Sequence, residues 1–215
     1  MLASCAASPS PVPRRSVAVM TALPLFWGEG GAKAVLAGPD QRAPIITALE
    51  AAHRVRPVDL LDTAAFTGTD ILLLAQPRIL GAQELVDLDA WVRRGGHALI
   101  FADPELVWPS ALPMGDPRRA PPVTLLDPLF THWGITLAPD AVQAAADVDG
   151  QAVWPDRRGR WITFPAACEP MADALILSCT IGKGRALLVA DADLLDRPDG
   201  EAAPGILALI ERAAR

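Results

Sequence analysis

The sequence predicts an α/β fold: a three-layer sandwich with a mostly parallel central sheet and a late β-hairpin. Three observations predict it. Asp70–Ala75 (DILLLA) is almost wholly apolar and of strand length, the pattern of a central parallel strand covered on both faces. An amphipathic helix and a second apolar strand, His97–Ala102 (HALIFA), follow it, which makes a right-handed βαβ unit. Late in the chain, Ala174–Ile181 and Arg185–Ala190 flank Gly182-Lys183-Gly184 and read as a hairpin.

The elements follow in order. Val17–Leu23 is a short apolar run closed by Pro24, a buried first strand. Ala43–His53 reads as a helix with Pro44 in its first turn, where a missing N–H costs nothing. Arg54–Val58 is a short second strand. In Gln83–Arg94, Leu85, Leu88 and Val92 share one face with Trp91 alongside. Acidic residues lie early and Arg93 and Arg94 late, which complements the helix dipole, and Gly95-Gly96 supplies the stop. Asp89 and Arg93 form an i, i+4 pair. Glu105–Thr124 is rich in Pro and reads as a long surface loop. Leu125–Trp133 is a short helix that stops at Gly134, and Ala138–Arg160 carries strand-like pieces at most. Ile206–Arg215 closes the chain as an amphipathic helix.

Composition narrows the function classes. The chain has 215 residues, enough for one domain, expected over residues 16–215 behind a flexible tail at 1–15. The net charge of -6 argues against nucleic acid as a partner. No apolar run approaches bilayer-spanning length. The arginine pairs Arg14-Arg15, Arg93-Arg94, Arg118-Arg119 and Arg157-Arg158 sit on separate segments and read as solvated surface. Cys168 and Cys179 share one late segment and can pair; the ordinary behaviour of free cysteine favours two separate thiols. His53 ends a helix, where a cation suits the dipole. His97 reads as a structural residue, and His132 has no neighbouring ligand partner. HExxH, HxH and HxxxH spacings are absent, so a zinc site is not expected, and no cofactor is assigned.

Leu2-Ala3-Ser4-Cys5 matches a bacterial lipobox, and Ala6–Arg15 has a tether's composition. A lipoprotein signal also needs an apolar stretch before the box, and only Met1 precedes it here. Either translation starts further upstream and Cys5 carries a lipid, or the match is chance in an Ala-rich tail. The first alternative expects a periplasmic or lipid-anchored protein, with membrane contact only through Cys5; the second expects a cytoplasmic one.

The run Asp70–Pro104 (DILLLAQPRILGAQELVDLDAWVRRGGHALIFADP) resembles GldG-type proteins, accessory proteins of ABC-2 export and gliding systems. Leu125–Leu137 (LLDPLFTHWGITL) and Gly182–Leu195 (GKGRALLVADADLL) extend the similarity over about Asp70–Arg215. The resemblance implies a flavodoxin-like or class I glutamine-amidotransferase-like sandwich and ABC-2 transporter subunits as partners. It does not imply catalysis. His97–Ala102 runs into Asp103-Pro104 where amidotransferases carry a nucleophilic Cys, and GxSxG is absent.

In an open α/β sheet, ligands bind outside the carboxyl ends of the strands. Thr21, Gln76, Asp103 and Asp191 each end an apolar strand, and Asp193 lies two residues on. Trp27 and Glu29 lie in the loop after the first strand. These seven are the candidate ligand-binding residues. Converging carboxylates suit a hard cation, a cationic group or a sugar; Asp is equally a preferred cap and turn residue. The sequence therefore reads as a non-catalytic, extracytoplasmic module that binds a small polar ligand or a transporter partner. The alternative is a metal-dependent hydrolase built on the strand-end carboxylates.

Overall fold

The computed structural model describes residues 14–29, 36, 42–140, 145–148, 150–153, 155, 157–196 and 202–215. Cys5 and nearly all of the expected tail lie outside them. The central sheet has seven strands. In spatial order they are β2 (Arg54–Pro57), β1 (Ser16–Thr21), β3 (Ile71–Ala75), β4 (His97–Phe101), β11 (Gly184–Val189), β10 (Ile176–Ile181) and β9 (Cys168–Met171). The first five are parallel, and β10 and β9 add on antiparallel. The apolar runs read as strands at 17–23, 70–75, 97–102 and 185–190 are thus neighbours in one sheet. All five residues of β3 are buried, as a strand covered on both faces requires.

The helices are α1 (Pro44–Ala52), α2 (Thr63–Phe66), α3 (Ala82–Arg93), α4 (Asp127–Trp133) and α5 (Ala203–Ala213). α1 packs on α5, and α5 packs on β4 and β11. The His97 ring on β4 reaches the Ala213 carbonyl at 2.8 Å, which fits its structural reading. The expected pair on α3 forms: Arg93 Nε lies 2.7 Å from Asp89 Oδ2. Trp133 Nε1 of α4 donates to the other Asp89 oxygen at 2.8 Å. At the α3 stop, Gly95 takes φ 118°, and a Cβ on Gly184 would lie 2.1 Å from the Val92 carbonyl. Only glycine lets β11 start that close to the end of α3. The arrangement is an α/β sandwich with the expected late hairpin, β10–β11.

Two small antiparallel pairs, β5 (Thr136–Pro139) with β8 (Gly159–Thr163) and β6 (Ala146–Val148) with β7 (Gln151–Val153), occupy the weakly patterned stretch. Trp161 of β8 is buried, meets Phe130 edge-on at 5.3 Å, and donates to the Leu175 carbonyl.

Three expectations are corrected. Cys168 and Cys179 form a disulfide, because β9 folds back on β10 in the register that sets the two residues opposite each other. Their spacing in the sequence carries no information on that register. Arg158 is not solvated surface: it is buried, and its guanidinium pairs with Asp140 and Asp173 at 2.9 Å each. His53, expected to suit the helix end as a cation, is buried, and burial pushes its pKa down, which disfavours the charged form.

Candidate functional site

The seven candidate residues all lie at the carboxyl ends of the parallel strands, but they divide into two groups. Gln76, Asp103, Asp191 and Asp193 are buried and bonded into one knot beyond β3, β4 and β11. Thr21, Trp27 and Glu29 line a cavity beyond β1 and β2.

The knot begins where β3 ends. Gln76 takes φ 40°, which turns the chain out of the strand. Its side chain then pairs with the Asp103 backbone: Asp103 N–H donates to Oε1 at 2.9 Å, and Nε2 donates to Asp103 C=O at 3.2 Å. Nε2 also donates to the Pro121 carbonyl. The Asp103 carboxylate accepts from Glu105 N–H at 2.8 Å on one oxygen and from Ala192 N–H at 3.0 Å on the other. Asp191 accepts from Leu194 N–H, capping the 3₁₀ turn Asp193–Asp196. Asp193 accepts from Val107 N–H at 3.0 Å. Together these bonds fix both ends of the 105–124 loop to the sheet, and Thr124 N–H closes it on the Asp103 carbonyl at 2.7 Å.

One oxygen from each of Asp103, Asp191 and Asp193 lies within 4.8 Å of the others. Two effects oppose one another at Asp103. Burial away from water raises its pKa, and N–H donors from Ala192, Glu105 and Asp193 lower it; burial wins, and the pKa is raised. The three oxygens are close enough to share a hard cation. The same carboxylates also do the work of caps and turn staples.

The second group is more open. Its cavity, about 310 Å³, lies beyond β1 and β2, with Trp27, Glu29, Asp59 and Arg118 on its walls. Gly28 takes φ 63° and its N–H bonds the Pro24 carbonyl, which folds the loop after β1 back on itself. Trp27 is 47% exposed. Thr21 Oγ1 accepts from Leu23 N–H at 2.9 Å. Glu29 accepts from Ala111 N–H at 2.7 Å and so ties this loop to the middle of the 105–124 loop. Asp59 and Arg118 were not among the sequence candidates. Arg118 reaches the cavity from the long loop, a contact that no local pattern announces.

Comparison with known proteins adds a family. The model of the family described as ABC-type uncharacterized transport system matches residues 14–178. No curated protein matches the chain. Among solved structures, the exo-β-1,4-mannosidase Op5Man5 from Opitutaceae bacterium strain TAV5 aligns with a TM-score of 0.54 at 17% identity, over 94% of this chain and 36% of that one. Gan42B, a GH42 β-galactosidase from G. stearothermophilus, aligns with a TM-score of 0.53 at 12% identity, over 94% of this chain and 30% of that one. The chain thus spans about a third of these enzymes' length, and at such identity the likeness is one of fold alone. Among the described residues, no helix is long and apolar enough to cross a membrane. The family match covers most of the chain and agrees with the resemblance carried by Asp70–Pro104: this protein belongs to the auxiliary family of ABC-type transport systems.

Proposed function

We propose that the chain is a non-catalytic, extracytoplasmic module of an ABC-2 type exporter that engages a transporter subunit or a small polar ligand. The observation that carries this reading is the use made of the strand-end carboxylates. Asp103, Asp191 and Asp193 each accept a backbone N–H and hold a loop. A reaction centre needs such groups aimed at substrate. The Cys168–Cys179 disulfide supports an extracytoplasmic setting, since disulfides persist in oxidising compartments. Cys5 is the proposed point of lipid attachment.

The rival reading is a divalent-metal hydrolase on Asp103, Asp191 and Asp193, and the 4.8 Å approach of their oxygens favours it. One experiment separates the two. The chain is expressed from its natural upstream region together with the permease and ATPase of an ABC-2 type exporter from the same genome, and membranes are solubilised in mild detergent. The accessory reading expects the three to co-purify and Cys5→Ala to move the chain to the soluble fraction. Absence of co-purification, with metal-dependent hydrolysis of ester or phosphoester probes by the purified chain, would overturn it.

A further inference from the structure

We propose that the cavity beyond β1 and β2 binds an organic cation, a substituted ammonium group, held by the Trp27 ring and by the carboxylates of Glu29 and Asp59. This rests on the binding reading above and names its ligand class. Three observations lead to it. The cavity, about 310 Å³, is of the size that holds a small molecule. Its wall carries a half-exposed indole with Phe26 beside it, ring centres 6.1 Å apart. The indole already draws a cation, for the Arg42 guanidinium lies 5.9 Å from its ring centre.

The charges around the cavity decide the sign of the ligand. Among the described residues, Arg118 on its wall and Arg78 and Arg42 nearby are each paired with a carboxylate outside it, and Arg78 also donates to the Asp59 carbonyl at 2.5 Å. Arg118 bonds Asp116 through two nitrogens, at 3.0 and 2.7 Å. Arg78 forks onto Glu84 at 2.9 and 2.8 Å. Arg42 sits on both oxygens of Glu50. Arg119, on the far side of Glu29, donates to the Leu112 carbonyl and lines a separate, smaller cavity. Among the described residues, neither Glu29 nor Asp59 has a salt-bridge partner within 4.0 Å, and only one Glu29 oxygen accepts a hydrogen bond. An anion would meet two carboxylates and find the nearby guanidinium groups already engaged. A neutral sugar would stack on Trp27 without drawing on the charge of either carboxylate. A substituted ammonium group meets an aromatic face and two carboxylates together.

The test is isothermal titration calorimetry of the full chain with choline chloride. Glucose and sodium acetate at matched ionic strength serve as neutral and anionic comparators. The expected result is saturable choline binding with a Kd on the order of 1 mM or tighter, weakening with salt, and little heat from either comparator. Trp27→Ala should weaken it about tenfold and Glu29→Gln or Asp59→Asn several-fold, while Asp87→Asn, outside the cavity, retains it. Circular dichroism melts confirm that each variant is folded. Heats of dilution alone from choline, a glucose response as strong, or binding indifferent to both carboxylate variants would overturn the proposal. Co-purification with the transporter is read separately, so loss of choline binding with co-purification intact removes the ligand class and leaves the accessory reading standing.

Discussion

The carboxyl rim of the sheet is built in two ways. Beyond β4 and β11, three aspartates and Gln76 are buried and tied to backbone groups of a long loop. Beyond β1 and β2, Trp27 and Asp59 are exposed around a cavity instead. The same residue types at the same end of the same sheet thus do different physical work. A carboxylate that is buried must be satisfied by donors, and once satisfied it is a fastener. A carboxylate at an open cavity keeps its capacity for a ligand. What separates the two halves is the 105–124 loop, which lies over one and only borders the other.

The largest effect that separates them is on stability. Asp103→Ala leaves the N–H groups of Glu105, Ala192 and Asp193 facing a buried gap, and relief of the buried charge offsets only part of that loss. The expected cost is about 2 kcal/mol by urea unfolding. Trp27→Ala, at the open half, should change stability by less than about 0.5 kcal/mol. Equal costs would erase the contrast.

Acid gives the next test, because two carboxylates should titrate with opposite sign. Glu84 accepts a bidentate bond from Arg78 and the N–H groups of Gly81 and Leu61, and these hold its pKa down to about 2. Its folded pKa lies below its unfolded one, so its contribution is complete above the unfolded value and fades as pH falls through about 2. Because Arg78 is partly exposed, that contribution is on the order of 2 kcal/mol. Glu84→Gln should therefore cost most near neutrality and little near pH 2. Asp103 has a raised folded pKa. Its native form binds the proton more tightly than the unfolded chain does, so stability that is missing at neutral pH is gained as pH falls through the folded value. The cost of Asp103→Asn relative to wild type should grow in that window. Parallel pH profiles for the two variants would contradict the burial difference.

A smaller effect concerns the loop itself. Asp193→Asn weakens the bond from Val107 N–H, so limited proteolysis within residues 105–124 should speed up several-fold while the global unfolding free energy changes by less than about 1 kcal/mol. The smallest is at Glu29. Glu29→Gln keeps an acceptor for Ala111 N–H, and the expected change is below about 0.3 kcal/mol.

Much of this was readable before any coordinates. The apolar runs at 71–75 and 98–102 have the length and composition of strands covered on both faces, and the acidic start, basic end and Gly-Gly stop of α3 mark the helix between them. The rim position of the candidates followed from strand direction. Their division into knot and cavity did not, because it depends on where a Pro-rich loop without periodicity lays its backbone N–H groups. Asp59 and Arg118 escaped for the same reason: each reaches the cavity from a loop. The disulfide was undecidable because an 11-residue separation sets no register between β9 and β10. Arg158 looked like surface because its partners, Asp140 and Asp173, are distant in sequence.

On the reading proposed above, the carboxylates beyond β4 and β11 fasten a loop rather than hold a metal. Thermal melts of wild type, Asp103→Asn and Asp191→Asn, each with and without millimolar Mg²⁺ or Ca²⁺, test it most directly. If the carboxylates are fasteners, both variants melt several degrees below wild type and neither cation shifts any of the three. A cation-dependent rise in the wild-type midpoint that both variants lose would contradict it and make the knot a metal site.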